Sequence, residues 1–207
     1  MLLLDSGGAS PPPRAAASAL TLYVEGPRDR SILRAWAHRL IPQRASRVLG
    51  GAVILGGRQP VRALAHFERH LARVPGARAL CVLDRDDGAA EPPDPNGFAL
   101  EFFTWSRRHI ESYLIVPAAI RRALGLPEHD RRIERAIERH LPDPGDEAAW
   151  QALDAKRLLA PQGPLPRALG QALPLSRIAR ATRESELHAD VHALFARVEV
   201  LLARREG

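Results

Sequence analysis

The stretch Leu22-Tyr-Val-Glu-Gly-Pro-Arg-Asp-Arg-Ser-Ile-Leu33 limits the folds open to this chain more than any other. An apolar run ends on an acid, turns at Gly26-Pro27 and resumes with the spacing of one helix face at Ile32, Leu33, Trp36, Ala37 and Leu40. Thr21, Leu22, Tyr23 and Val24 suit a pleated strand, so the segment reads as strand, turn, helix. Glu25 then stands at the carboxyl end of the strand. In an open parallel α/β sheet that end faces the crevice where ligands bind, a place for chemistry rather than packing. Asp29, one turn into the helix, either shares that crevice or serves as a first-turn acid favoured by the helix dipole.

A second apolar run, Ala79-Leu-Cys-Val-Leu83, has the length of a buried strand and runs directly into Asp84-Arg-Asp-Asp-Gly88. An Asp-Gly turn requires Asp87-Gly88 but neither Asp84 nor Asp86. Those two carboxylates, two residues apart at a strand exit, are oxygen ligands of the kind that Mg²⁺ or Mn²⁺ prefers. A further strand is expected over Phe98 to Trp105, followed by Arg107-Arg-His-Ile-Glu-Ser-Tyr-Leu114.

A strand ending in Glu-Gly with Asp four residues on, then a later strand ending in Asp-x-Asp, resembles the Toprim domain shared by topoisomerases, bacterial primases and certain nucleases. The Glu111-Ser-Tyr-Leu114 segment is similar to one in Toprim domains of the overcoming-lysogenization-defect (OLD) nucleases, which implies that Glu111 joins the metal site. A surface pair with Arg107 or Arg108 is the other use for that acid. Lys156 is the only lysine in a chain whose other basic positions are arginine, and a compact ammonium does what a planar guanidinium cannot. Asp154-Ala-Lys-Arg-Leu-Leu159, ahead of a helix, resembles the context of a functional lysine in OLD-type domains, although Ala155 stands where glycine is common.

The resemblance covers roughly residues 20 to 205 and implies divalent-metal-dependent hydrolysis of phosphodiester bonds by a two-metal mechanism, DNA ahead of RNA. Glu25, Asp29, Asp84, Asp86 and Glu111 would hold Mg²⁺ or Mn²⁺, while Glu25 and Lys156 act on the reacting groups. OLD enzymes usually join their Toprim to an ATPase. The lone lysine here lies outside any Gly-x-x-x-x-Gly-Lys-Ser/Thr pattern, so the chain either works alone or serves a separate ATPase chain, in a genome-defence setting. An RNA-processing Toprim nuclease and a non-catalytic nucleic-acid-binding or regulatory module are the alternatives.

The chain's 207 residues, 45% hydrophobic, suffice for one substantial core. Its net charge of +6, carried mostly by arginine, suits a polyanionic partner, though an arginine-rich proteome produces the same balance. One cysteine, Cys81, inside a strand and without an intrachain partner, fits a reducing cytoplasm. No apolar run approaches membrane-spanning length.

Along the chain, residues 1–18 read as a disordered leader, 19–125 as the α/β core and 126–207 as a helical extension packed on it. Ala52-Val-Ile-Leu55 reads as a second parallel strand closed by Gly56-Gly57, whose backbone could approach a phosphate. Pro60 to Val74 reads as a helix, with His66 and His70 beside its apolar stripe. A zinc-protease pair is disfavoured, because Glu68 is misplaced for His-Glu-x-x-His. Helices are also expected over Pro117 to Leu124, with Gly125 as the stop, and over Glu128 to His140. The C-terminal stripe of Leu187, Val191, Leu194, Val198 and Leu201 serves either packing on the core or a homodimer contact.

Overall fold

The computed structural model describes residues 20–86, 90–94 and 99–203. The leader expected over 1–18, the Asp87-Gly88 turn, Phe98 and residues 204–207 lie outside the described residues. Four strands, β1 (Leu20–Val24), β2 (Val53–Ile54), β3 (Arg78–Leu83) and β4 (Leu100–Thr104), form one sheet in the order β2-β1-β3-β4, every neighbouring pair parallel. The expected α/β architecture of four parallel strands flanked by helices, with helices filling the C-terminal part, is what the structure shows.

Parallel pairing puts all four carboxyl ends on one edge. The path steps outward from β1 to β2 on one side and from β3 to β4 on the other, so it reverses between β1 and β3, where α/β folds open a crevice. Val24 and Leu83 are the last residues of those two strands. Each is followed at once by an acid, Glu25 or Asp84.

Alternation along the strands sends side chains to two cores. Leu20, Leu22, Val24, Leu80 and Val82 join the larger apolar cluster with Ile32, Leu33 and Trp36 of α1 (Pro27–Leu40) and with Val48 and Leu49 of α2 (Pro42–Gly50). Tyr23, Ala79, Cys81 and Leu83 face the other way onto Ala63 and Phe67 of α3 (Pro60–Leu71). Cys81 is a fully buried free thiol.

A 3₁₀ turn, Ile110–Leu114, follows β4, then α4 (Pro117–Leu124), α5 (Arg132–His140), α6 (Glu147–Ala152), α7 (Ala155–Leu159), α8 (Pro164–Leu169), α9 (Leu175–Ala181), a second 3₁₀ turn at Glu184–Glu186, and α10 (Ala189–Ala203). The larger apolar cluster runs without a break from Leu20 to Leu201, so the C-terminal helices share the core of the sheet's α1 face. The α10 stripe of Val191, Leu194, Phe195, Val198 and Leu201 is buried inside the chain, which answers the choice left open between packing and a dimer contact: the stripe packs on its own core. Among the described residues, no helix is long and apolar enough to cross a membrane.

Local boundaries differ from the sequence reading where side chains compete for backbone. The helix expected from Glu128 begins at Arg132, because Asp130 accepts from the Arg132 backbone N–H and side chain and forms a cap-like turn first. Gly125 ends α4 in the left-handed conformation, as expected. Lys156 lies within the first turn of α7 rather than ahead of a helix, its helix started by Asp154, whose carboxylate accepts from Arg157 N–H at 3.0 Å.

Candidate active site

Glu25 and Asp84 meet across the switch point. Asp84 N–H donates to Glu25 Oε1 at 2.8 Å, linking the exits of β1 and β3. The backbone carbonyl of Glu25 accepts from both Gly56 N–H (2.9 Å) and Gly57 N–H (3.0 Å). These glycines hold φ values of +82° and +115°, which side-chain-bearing residues rarely adopt. Their N–H groups are therefore engaged in fixing Glu25 and are not free to cradle a phosphate, which corrects the expectation for that turn.

Asp84 is the hub, with only 3% of its surface exposed. Its Oδ1 accepts from Ile110 N–H at 2.9 Å and its Oδ2 from Lys156 Nζ at 2.6 Å. The ammonium thus reaches the sheet edge from a segment 72 residues later, and its side chain remains 42% exposed toward the crevice. Arg58 Nε donates to the Asp84 carbonyl at 3.1 Å and steadies the strand exit.

Asp29 makes the first-turn contact the sequence allowed and lies within electrostatic reach of the acids. Its Oδ2 accepts from Gly26 N–H at 2.7 Å, closing the first turn of α1, and its carboxyl also feels the charges of Asp84 and Glu111. Glu111, on the 3₁₀ turn, is 1% exposed and faces Arg28 Nη1 at 3.4 Å. The alternative pairing with Arg107 does not form: Arg107 makes a two-bond pair with Glu147. Asp86 is half exposed, in the left-handed region at φ +23°, with Oδ1 3.7 Å from His109 Nε2.

Two residues of the site carried no usable sequence signal. Arg28 lies one helical position past Pro27 and is one arginine among many, and only the fold brings it to Glu111. His109 is buried between Asp86 and Asp154, its Nδ1 3.8 Å from Asp154 Oδ1 and without a hydrogen bond. Of the other two histidines singled out, His66 shares a 2.8 Å hydrogen bond through Nδ1 with Tyr23 OH on the opposite face of the sheet, and the buried His70 Nε2 has no hydrogen-bond partner among the described residues.

Crowding of acids sets the electrostatics. Burial, then the charges of Asp84 and Asp86, push the Glu25 carboxyl up to about 7, against the backbone bond from Asp84 and the charge of Lys156. Burial, then Asp84 and Glu111, raise Asp29 to about 6. Burial works against the Lys156 ammonium, but the hydrogen bond and charge of Asp84, followed by Glu111 and Asp86, hold its pKa above the ordinary value. His109 is lowered by burial and by the charge of Lys156.

Among the described residues, no three His, Cys, Asp or Glu side chains stand close enough to hold one metal ion together. The donor chemistry nevertheless fits a hard cation. The predicted ligands are all carboxylates, two carry raised pKa values that a cation would reverse, and Glu111 Oε2 is buried with no hydrogen-bond partner.

The fold and site define an α/β protein with an acid-lined crevice at the carboxyl edge of a parallel sheet and one lysine reaching into it. Among solved structures, the chain is similar to the C-terminal region of the Xanthomonas campestris pv. campestris OLD protein. One such structure is 14% identical with a TM-score of 0.49, and a second is 17% identical with a TM-score of 0.48, each over 93% of this chain and 100% of the other. The C-terminal region of the Burkholderia pseudomallei OLD protein matches at 16% identity and a TM-score of 0.44, over 89% of this chain and 98% of the other. No family model and no curated protein matches the chain.

Proposed function

We propose that this protein is a divalent-metal-dependent nuclease that hydrolyses phosphodiester bonds of nucleic acid, DNA ahead of RNA. The observation that carries the reading is Asp84, whose carboxylate bridges Ile110 N–H and Lys156 Nζ while its own N–H holds Glu25. Three chain segments distant in sequence thereby set one base, one anion and one cation around a single crevice.

Glu25, Asp29, Asp84, Asp86 and Glu111 would hold Mg²⁺ or Mn²⁺, which when bound polarises the phosphate and makes water acidic enough to attack it. The chain's own groups do the rest. Glu25 Oε1 is fixed by Asp84 N–H, which leaves Oε2 to take a proton from the attacking water. The water oxygen bonds to phosphorus, the bond to the leaving oxygen breaks, that oxygen takes a proton from solvent water, and Glu25 returns the proton it took to solvent. Lys156, kept protonated by its acidic neighbours, offsets the charge gathering on the phosphate.

A second reading, a nucleic-acid-binding module without cleavage, draws on the Lys156–Asp84 ion pair, which already engages one oxygen of the central carboxylate. The test incubates purified protein with plasmid DNA and with structured RNA in Mn²⁺, Mg²⁺ or EDTA. DNA cleavage with metal and none in EDTA is expected. Selective RNA cleavage reassigns the substrate, metal-dependent binding without cleavage selects the module, and cleavage surviving EDTA removes the metal mechanism.

A further inference from the structure

Beside the acids lies a cleft of about 230 Å³ whose lining combines the exposed cations Arg28 and Lys156 and the buried Glu111 with Leu159, Leu173 and Leu175. Its walls come from the start of α1, the 3₁₀ turn, the end of α7 and the link from α8 to α9. The volume falls below the range of pockets for drug-sized ligands and is many times that of a water molecule at ~30 Å³. Two other clefts of similar size have a different character. One, on α3, is lined by His66, Arg69, His70 and Arg73; the other, between α5 and α8, by Arg132, Arg135 and Arg139 with two alanines. Of these three, the cleft beside the acids is the one that joins leucines to exposed cations.

We propose that this cleft receives one unpaired base of the substrate strand, which makes the preferred substrate single-stranded or locally unpaired nucleic acid. The inference rests on the nuclease reading above and narrows its substrate class. The argument is one of chemical order across the cleft. The apolar wall of Leu159, Leu173 and Leu175 suits the face of a base, and the buried Glu111 carboxylate repels a phosphate, so the phosphate stays at the mouth. There Arg28, with 59% of its side chain exposed, and Lys156 offer the positive charge a phosphodiester needs. A base placed against the wall has its phosphate next to Lys156 and thus next to Asp84. A paired and stacked base shows only its edges in the grooves and cannot enter, whereas an unpaired base can be splayed into an apolar site.

Fluorescence anisotropy in EDTA tests the idea independently of cleavage, using a labelled single strand and the same sequence as blunt duplex. The single strand should bind at least about tenfold tighter, the scale of one seated base. Ala172, exposed on the cleft lining, can be enlarged without touching the core: Ala172→Trp should reduce single-strand affinity about tenfold and leave duplex affinity unchanged. Ala168→Trp, in the cleft between α5 and α8, should leave both unchanged. Arg28→Gln should weaken single-strand binding and lower the salt slope by about 0.7, one phosphate contact on a single strand. Equal affinity for duplex and single strand, or wild-type binding by a folded Ala172→Trp protein, overturns the inference. Failure to bind either ligand in EDTA overturns the inference and leaves the nuclease reading to its own cleavage test. Single-strand preference with no cleavage in any metal leaves the inference standing and removes the nuclease reading alone.

Discussion

Two clusters of polar side chains lie beyond the carboxyl edge of the sheet, and they differ in how completely their atoms are matched. In the first, Asp190 at the start of α10 accepts from Ser106 N–H, Ser106 Oγ and Tyr113 OH, while Tyr113 OH also accepts from Arg107 N–H. Arg107 continues the network into its pair with Glu147 and lies 4.7 Å from the ring centre of Trp150. In the second, around Asp84, five carboxyls face two cations, Glu111 Oε2 and His109 Nδ1 have no partner, and Glu25 and Asp29 are pushed toward neutral pKa values. A satisfied network fixes architecture, because every group lost leaves another stranded. An unsatisfied one stores a demand for something the chain does not supply, here positive charge.

The comparison breaks most visibly at Asp84. Asp84→Ala should lower cleavage by about a thousandfold or more, the upper scale for losing one electrostatic contact to a transition state. Nucleic-acid binding measured by anisotropy should persist. Cleavage at the wild-type rate would show that the Asp84 cluster is a structural network too.

Lys156 comes next. Lys156→Ala should cost about 3 kcal/mol of transition-state stabilisation, roughly two hundredfold in single-turnover rate. Lys156→Arg should fail nearly as badly, since a planar fork cannot replace a compact ammonium 2.6 Å from Asp84 Oδ2. Full rescue by arginine would reduce the lysine to a source of diffuse charge.

Tyr113→Phe probes the other side of the comparison. Removing the hydroxyl leaves Asp190 short of a donor and Arg107 N–H without its acceptor, which should lower stability by about 1 to 3 kcal/mol in urea unfolding. Cleavage per folded molecule should stay within about twofold of wild type, well inside the scale of lost transition-state contacts. A rate loss matching that of Lys156→Ala would merge the two clusters into one functional unit.

The smallest expected effect is a pH dependence. Glu25 and Asp29 have folded-state pKa values raised to about 7 and about 6, so the folded protein keeps protons that the unfolded chain releases. Their favourable contribution is complete below about pH 4 and is lost as pH rises through 7. The metal-free melting temperature should therefore fall across that window. Glu25→Gln, which cannot ionise, should flatten the upper half of the fall, as thermal scans at several pH values would show.

The strand-end acids were legible in the sequence because a short apolar run followed at once by a carboxylate fixes both the strand and the place of the acid on it. Lys156 was singled out by composition, as one lysine among arginines, and by the resemblance of its Asp154–Leu159 context. Arg28 and His109 were not, since their roles depend on which distant segment returns to the crevice, and no local periodicity encodes that return. The start of α5 was misplaced because Asp130 binds the Arg132 backbone before the helix begins. Gly163 shows the same limit: a Cβ there would lie 2.4 Å from the Arg157 carbonyl and 2.5 Å from that of Leu158, so this glycine lets α8 follow closely on the helix that carries Lys156. Its sequence context, Pro161-Gln-Gly-Pro164, reads only as a turn.

The claim beneath all of this is that the Asp84 cluster calls for a divalent cation. Its most direct test is the melting temperature at pH 8 with and without Mn²⁺, for wild type and Asp84→Ala. Binding at a hundred times the dissociation constant adds about 2.7 kcal/mol, which for a domain of this size is roughly 5 to 10 °C. A rise of that order in wild type that disappears in Asp84→Ala is the expected result; a wild-type melting temperature that Mn²⁺ does not move, or an equal rise in both proteins, would contradict it.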